Sequence, residues 1–264
     1  MPELPEVEAR RRCLAANALG RKIDRVSVPD KRILDKATPA ALSRGLKGAS
    51  FTDVERRAKY LLVRTDRNSI LLIHFGLTGA LFFRERGERK PRFSKAEFYF
   101  EGGSCLHYTD PRLFGKIALY ETTDDDDIPE IAKLGPEPLS RAFTFKRFND
   151  VIRGHKTTLH QVLMVQELIA GIGNEYSDEI AYQAGVRPDR MTTSLSDGEV
   201  RRLYDKMKWV LKQAVNLNAE LDGWADRLII PNRGKDGECP RTHDKLSKKT
   251  IAGRTSYFCP TCQK

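Results

Sequence analysis

Apolar positions in the first half of the chain come in short runs bounded by glycine and charged turns, at 22–28, 50–55, 60–65, 69–74, 80–84, 97–101, 104–108 and 116–121. Runs of that length and spacing predict strands of a β-sandwich or barrel. One helix precedes them. Pro5 stands where a first turn begins, Val7, Leu14 and Leu19 fall among Glu6, Glu8 and Arg10 to Arg12, and Gly20 ends the pattern. The strand pattern stops at the aspartates 124–127, which with Ile128-Pro129 and Gly135-Pro136-Glu137-Pro138 read as a solvated linker that repels DNA rather than binding metal. From Thr144 the period turns helical, at 145–153, 159–167, 176–185 and 197–215. After Asn216 it is irregular, and 227–231 reads as a strand leading into a cysteine-bearing tail. The expected organisation is therefore α+β and multidomain: an N-terminal domain at 1–123, a linker at 124–140, a helical domain at 141–226 and a tail at 227–264.

Composition narrows the partner. Lys and Arg outnumber Asp and Glu by 46 to 36, a net charge of +10 and a pI near 9.4, so a polyanion is the first partner to consider and nucleic acid fits best. With 40% hydrophobic and 31% charged residues the chain is ordinary globular material rather than disordered. No apolar run approaches the roughly 18 residues that span a bilayer. The start MPELPEVEARRR has carboxylates where a signal peptide needs an apolar stretch. A soluble, cytoplasmic protein with no membrane partner is expected.

The five cysteines are poor material for a disulfide framework, because Cys13 and Cys105 stand alone while Cys239, Cys259 and Cys262 crowd into the tail. Cys239-Pro-Arg-Thr-His243 and Cys259-Pro-Thr-Cys262 instead form two ligand pairs at the spacing of a zinc ribbon or finger. Zinc takes four tetrahedral ligands, and two tight turns that each present a pair supply them at little entropic cost. Four protein ligands leave no open position, so one structural zinc ion is expected. From Arg241 onward the tail carries six basic residues against Asp244 alone, which places a stapled basic hairpin beside DNA.

The amino terminus offers separate chemistry. Removal of Met1 leaves Pro2 terminal, and an α-amino group titrating near 8 is roughly a tenth free base at neutral pH, where a lysine is well under one per cent. Attack of that amine on C1′ of a deoxynucleoside expels the base and leaves a Schiff base. Glu3 and Glu6 lie beside it on the helix entry, one suited to protonating the sugar ring oxygen and the other to holding the amine. Read by spacing alone, Pro-Glu-Leu-Pro-Glu is more often simply a helix cap.

Met1-Pro-Glu-Leu-Pro-Glu-Val-Glu8 resembles the start of the formamidopyrimidine-DNA glycosylase and endonuclease VIII family. Arg56-Arg-Ala-Lys59-Tyr-Leu-Leu62, His74-Phe-Gly-Leu-Thr-Gly79, Tyr108-Thr-Asp-Pro-Arg112-Leu-Phe114-Gly115, Gly171-Ile-Gly-Asn174-Glu-Tyr176 and the tail from Gly253-Arg254 to Gln263 look like that family's blocks, in order and across the whole chain. The resemblance implies an N-terminal β-sandwich with flanking helices, then a helix-two-turn-helix domain with a zinc finger. It implies a monomeric base-excision-repair glycosylase and abasic-site lyase for oxidised purines in damaged double-stranded DNA, acting by β,δ-elimination on the bacterial nucleoid. In that reading Pro2 is the nucleophile, Glu3 the general acid, and Glu6 shares the pocket. Lys59 contacts phosphate and assists elimination, Arg254 holds the phosphate of the extruded nucleotide, and Asn174 binds phosphate. Leu77, Arg112 and Phe114 fill the void left by the flipped base. His74 is a DNA-contact candidate, although a histidine on an apolar run is more often structural. Two rival readings are an endonuclease VIII-like enzyme for oxidised pyrimidines and a non-catalytic damage-binding relative, against which Pro2, Glu3 and Lys59 speak.

The chain departs from the family in three places. The second ligand of the first metal pair falls on Thr242 in the family spacing. A hydroxyl is a poor zinc ligand, so His243 is expected to complete the set, Cys105 being too distant in sequence. A lysine is expected where His160 stands, and a histidine near Arg92-Phe-Ser-Lys95, so Lys156 and Lys95 are the substitutes for phosphate contacts. The segment 216–226 is short and lacks the glycine-rich character of the loop that caps 8-oxoguanine, which points to ring-opened purines as the better substrate.

Overall fold

A computed structural model describes residues 1–264. They divide into two compact units, Met1–Pro2 with Glu6–Lys133 and Glu3–Pro5 with Leu134–Lys264.

The first unit carries helix α1 (Leu4–Ala18), whose Val7, Leu14 and Ala18 enter the core while Glu8 pairs with Arg11 at 2.9 Å and Arg12 at 3.3 Å on the helix surface. Strand β1 (Ile23–Ser27) and helix α2 (Pro39–Leu46) follow. Then come β2 (Phe51–Arg57), β3 (Tyr60–Thr65), β4 (Ile70–His74), β5 (Ala80–Arg84), β6 (Ser94–Phe100), β7 (Cys105–Thr109) and β8 (Lys116–Tyr120). Two antiparallel sheets result, in the orders β1-β6-β7-β5 and β2-β3-β4-β8. Phe51 of one sheet meets Phe98 and Phe100 of the other edge-on, with centroids 6.0 and 6.1 Å apart, so the apolar faces close on each other as a sandwich.

The segment 124–140, expected to be a solvated linker, is built into this unit over its first part. Asp124 caps a 3₁₀ turn at Asp125–Asp127, accepting the Asp126 N–H at 3.0 Å, and Asp125 pairs with Arg64 of β3 at 2.9 Å. Helix α3 (Pro129–Ala132) buries Ile131 and places Glu130 within 2.7 Å of the Tyr120 hydroxyl. Asp35 and Glu130 border a cavity of about 150 Å³ over Leu72, His74 and Ala118 on the outer face of β4 and β8. That cover explains why β3 and β4 read as continuous apolar runs rather than alternating ones: Leu62, Leu72 and Ala118, aligned across three strands on the outer face, are buried too. Helix α2 was absent from the pattern reading, although Thr38 at its N-cap, Pro39 at its first position and buried Leu42 and Leu46 are ordinary helix signals.

The second unit is helical: α4 (Phe145–Gly154), α5 (Leu159–Met164), α6 (Asn174–Ala184) and α7 (Asp197–Asn216). Helix α6 is buried on all sides from Tyr176 onward and packs against α5, α7 and the tail. Ser196 and Glu199 form a reciprocal capping box that starts α7. The segment 227–231 is not a strand: Leu228 and Ile229 are buried, and Ile230–Asn232 form a 3₁₀ turn in which Pro231 has no N–H for a ladder. The tail itself is a hairpin of β9 (Ser247–Ile251) and β10 (Arg254–Phe258). Its two-residue turn takes positive φ at both Ala252 (+46°) and Gly253 (+77°), the twist that matches right-handed strands.

Candidate functional site

In the first unit, Pro2 is buried and Glu6 is half-buried on α1, where the Glu6 carbonyl accepts from Arg10 Nη1 at 2.9 Å. Lys59 sits buried at the start of β3, after a turn in which Ala58 adopts φ +52°. Arg56 Nη1 donates to the Ala58 carbonyl at 3.1 Å, and its guanidinium pairs with Glu8 of α1 at 3.4 Å, so the Lys59 turn is clamped to the helix that begins the chain. Burial, and next the charge of Lys59, push the His74 imidazole down to about 4. His74 is therefore neutral at pH 7. Its Nδ1 accepts the Gly76 N–H at 3.2 Å, which leaves Nε2 as the protonated nitrogen and a hydrogen-bond donor.

Leu77, Arg112 and Phe114 ride on two loops that the fold ties together through Asp110. That carboxylate is fully buried and accepts the Thr78 hydroxyl at 2.6 Å, the Arg112 N–H at 3.2 Å and the Gly115 N–H at 2.7 Å. A Cβ on Gly76 would lie 2.3 Å from the Phe114 carbonyl carbon, so only glycine lets the loops approach this closely. Leu113 between Arg112 and Phe114 takes φ +58°, and the two side chains project outward with the guanidinium 5.1 Å from the ring centroid. Phe114 is 52% exposed. An exposed ring backed by a cation, on rigid loops, is suited to insertion between bases.

In the second unit the Glu3 carboxylate accepts the Gly173 N–H through one oxygen and the Glu175 N–H, at 2.8 Å, through the other. It is fully buried and seated on the open amides at the start of α6. Asn174, between those two residues, donates from Nδ2 to the Thr255 carbonyl of β10 at 2.9 Å and accepts at Oδ1 from His160 Nε2 at 3.0 Å. Arg254 is exposed at the first position of β10, and Lys156 is exposed in the turn between α4 and α5. Asp178 anchors the hairpin to α6: it is buried, holds Ser256 Oγ at 2.5 Å and Tyr257 N–H at 2.9 Å, and pairs with Arg233 at 3.0 Å. The sequence reading passed over Asp110 and Asp178 as site residues. Asp110 lies inside the block 108–115, whereas Asp178 lies beyond the block 171–176 and has no such signal.

The thiols of Cys239, Cys259 and Cys262 lie within 4.8 Å of one another. His243, expected as the fourth ligand, is outside that group, and the backbone gives the reason. In both knuckles the N–H of the fifth residue closes on the carbonyl of the first, His243 on Cys239 at 2.8 Å and Gln263 on Cys259 at 3.2 Å. Such a turn faces its first and fourth residues inward, hence Cys259 with Cys262 and Cys239 with Thr242. Thr242 Oγ1 is 3.5 Å from Cys259 Sγ, while His243 is turned out with φ +60° and is exposed.

Residues 1–117 match the formamidopyrimidine-DNA glycosylase N-terminal domain and residues 134–222 the formamidopyrimidine-DNA glycosylase H2TH domain. The chain is 35% identical over 281 residues to the formamidopyrimidine-DNA glycosylase of Heliobacterium modesticaldum, with both chains covered in full. It is 36% identical over 277 residues to that of Symbiobacterium thermophilum, covering all of this chain and 89% of the relative. Among solved structures, the Lactococcus lactis enzyme non-covalently bound to DNA containing an abasic site superposes with a TM-score of 0.89 at 29% identity over 99% of each chain. The same enzyme bound to DNA carrying an N7-benzyl-Fapy-dG gives 0.89 at 28% identity over the whole of both chains. No helix of the structure is long and apolar enough to cross a membrane.

Proposed function

Because the chain belongs to the formamidopyrimidine-DNA glycosylase family, we propose that it excises oxidised purines from damaged double-stranded DNA in base-excision repair and cleaves the resulting abasic site. The observation that carries this reading is the seat of Glu3. A carboxylate one residue from the Pro2 nitrogen is buried and oriented by two helix-start amides, contacts that cap α6 and at the same time fix the direction of an acid–base group adjacent in sequence to the amine. The amine of Pro2 attacks C1′ and the base leaves with the bonding pair, to be protonated by solvent; Glu3 takes the proton that the amine sheds and passes it to the ring oxygen as the C1′–O4′ bond breaks, leaving an iminium on Pro2. Abstraction of the C2′ proton then expels the 3′ phosphate, and a second elimination expels the 5′ phosphate. Lys59 and Arg254 serve the flanking phosphates, with Asn174, Lys156 and neutral His74 as further DNA contacts. Leu77, Arg112 and Phe114 occupy the space of the extruded base.

The three clustered thiols fit a single structural zinc ion held by Cys239, Cys259 and Cys262, which fixes the base of the hairpin bearing Arg254. The reading places the enzyme in the cytoplasm, on chromosomal DNA, as a monomer. Ring-opened purines are the favoured lesions, because the segment after α7 is short and folded back. Its 3₁₀ turn at Asp222–Trp224 brings the Trp224 ring to 6.5 Å from Trp209 of α7. Borohydride reduction during turnover tests the chemistry. Protein with a free Pro2 is expected to be trapped on a lesion-bearing duplex, whereas protein with one residue added before Pro2 is not. Undiminished trapping of the extended protein refutes Pro2 as the nucleophile.

A further inference from the structure

His160 stands where the family resemblance leads one to expect a lysine, and it is 1% exposed. Its hydrogen bonds fix its state. Asn174 donates from Nδ2 to the Thr255 carbonyl, so its Oδ1 faces His160 and the imidazole must supply the proton from Nε2. The other nitrogen, Nδ1, is buried with no hydrogen-bond partner. A ring in that setting is neutral, and burial, with Arg254 and Arg233 as nearby charges, holds its pKa below the usual histidine value. Asn174 in turn occupies the position between the two amides that seat Glu3, and its acceptor on β10 is the residue next to Arg254.

We propose that His160 is a positioning residue for base excision: its Nε2–H sets the Asn174 carboxamide, and through it ties the start of α6, which orients Glu3, to the hairpin strand that presents Arg254. An apolar group at 160 leaves the half-buried Asn174 Oδ1 without its protein donor. The carboxamide is then free to turn, and the tie to Thr255 is lost with it. A lysine in this place supplies a charge; His160 supplies a directed, uncharged donor, so its contribution is geometric rather than electrostatic. Protonation at Nδ1 leaves Nε2–H in place, so acid alone does not release the tie.

The inference rests on the glycosylase reading, and the test separates the two. Single-turnover excision of a ring-opened guanine is measured for the full-length protein, His160→Leu, His160→Gln, His160→Asn and Asn174→Ala, with affinity for a tetrahydrofuran-containing duplex and thermal midpoints alongside. A wild-type protein that neither excises nor is trapped defeats the functional reading itself. With an active wild type, His160→Leu is expected to be slowed tenfold or more with its thermal midpoint nearly unchanged. His160→Gln, whose amide nitrogen reaches the place of Nε2, recovers to within about threefold, and the shorter His160→Asn does not. The double variant His160→Leu/Asn174→Ala is no slower than the slower single variant. A His160→Leu rate equal to wild type, equal impairment in the Gln and Leu variants, or effects that multiply in the double variant each overturn the proposal. Should His160→Leu fail to fold, the contrast between His160→Gln and His160→Asn decides by the same criterion.

Discussion

Asp110→Ala is the sharpest perturbation of the loops that carry Leu77, Arg112 and Phe114. The fully buried carboxylate accepts two backbone N–H groups and one hydroxyl, and every donor loses its acceptor in the alanine variant. Hydrogen bonds to a charged group are worth about 1.5–3 kcal/mol each, and a buried donor left unpaired costs about 1–3 kcal/mol. Three such bonds sum to roughly 4.5–9 kcal/mol. Relaxation of the loops and water entering the space recover part of it, so a loss of about 4 kcal/mol is expected. That is a large share of a domain stability of about 5–15 kcal/mol. Asp110→Asn keeps one acceptor but turns an NH₂ toward a donor, and about 2 kcal/mol is expected. Denaturant unfolding followed by the far-ultraviolet signal measures both, since Trp209 and Trp224 report only the second unit, with affinity for a tetrahydrofuran duplex measured under native conditions. Phe114→Ala is the control: with a side chain more than half exposed, it should weaken DNA binding while leaving stability within about 0.5 kcal/mol. Destabilisation of Asp110→Ala by less than about 1 kcal/mol would refute the role given to this carboxylate.

Three further outcomes are expected. Elemental analysis after dialysis should find about one zinc per chain in wild type and in His243→Ala, but little in Cys259→Ala; loss of metal from His243→Ala would restore that histidine as a ligand. Matched duplexes opposite cytosine should show faster single-turnover excision of a ring-opened guanine than of 8-oxoguanine, and an equal or reversed order would show that 216–226 or another segment caps the closed ring. Burial holds the Glu179 carboxyl up at about 7, so the folded state keeps its proton where the unfolded chain has lost it, and this group's contribution falls as pH rises from about 4.5 to about 7. Wild type should therefore lose up to about 3 kcal/mol relative to Glu179→Gln across that interval, and a constant difference between the two would exclude the shift.

Which parts of the fold were legible follows from what each element depends on. Strands β3 and β5 begin and end where the pattern placed them, at 60–65 and 80–84, because a strand bounded by turns and filled with apolar residues needs no distant partner to be recognised. The capped helices α4 and α7 were equally plain. The 3₁₀ turn and α3 within 124–140 were not, since their order comes from Arg64 and Tyr120 on strands far back in the chain. Four consecutive aspartates carry no sign that one will find an arginine 61 positions away. The same holds for Asp110, whose role exists only once the loop at Thr78 has been brought against it by the pairing of β5 with β7.

The metal ligands show where a spacing rule stops. Both i+3 and i+4 are accepted spacings for a pair, so Cys239 with His243 satisfies composition, and histidine is the better ligand chemically than threonine. What spacing leaves out is the backbone of the knuckle. When the fifth residue's N–H bonds the first residue's carbonyl, the chain has turned back on itself and its fifth side chain leaves the concave side, whatever its chemistry. The second knuckle obeys the same geometry with Gln263 in the fifth place, and Gln263 Oε1 folds back to accept the Cys259 N–H at 2.7 Å rather than meeting the thiols. A second ligand in a Cys-Pro turn is therefore to be sought at the fourth position first. In the first knuckle that position holds Thr242, so only three thiols face one another here, and the hairpin is anchored as well by protein contacts: Asp178 to Ser256 and Tyr257, and Asp244 to Thr261 at 2.6 Å.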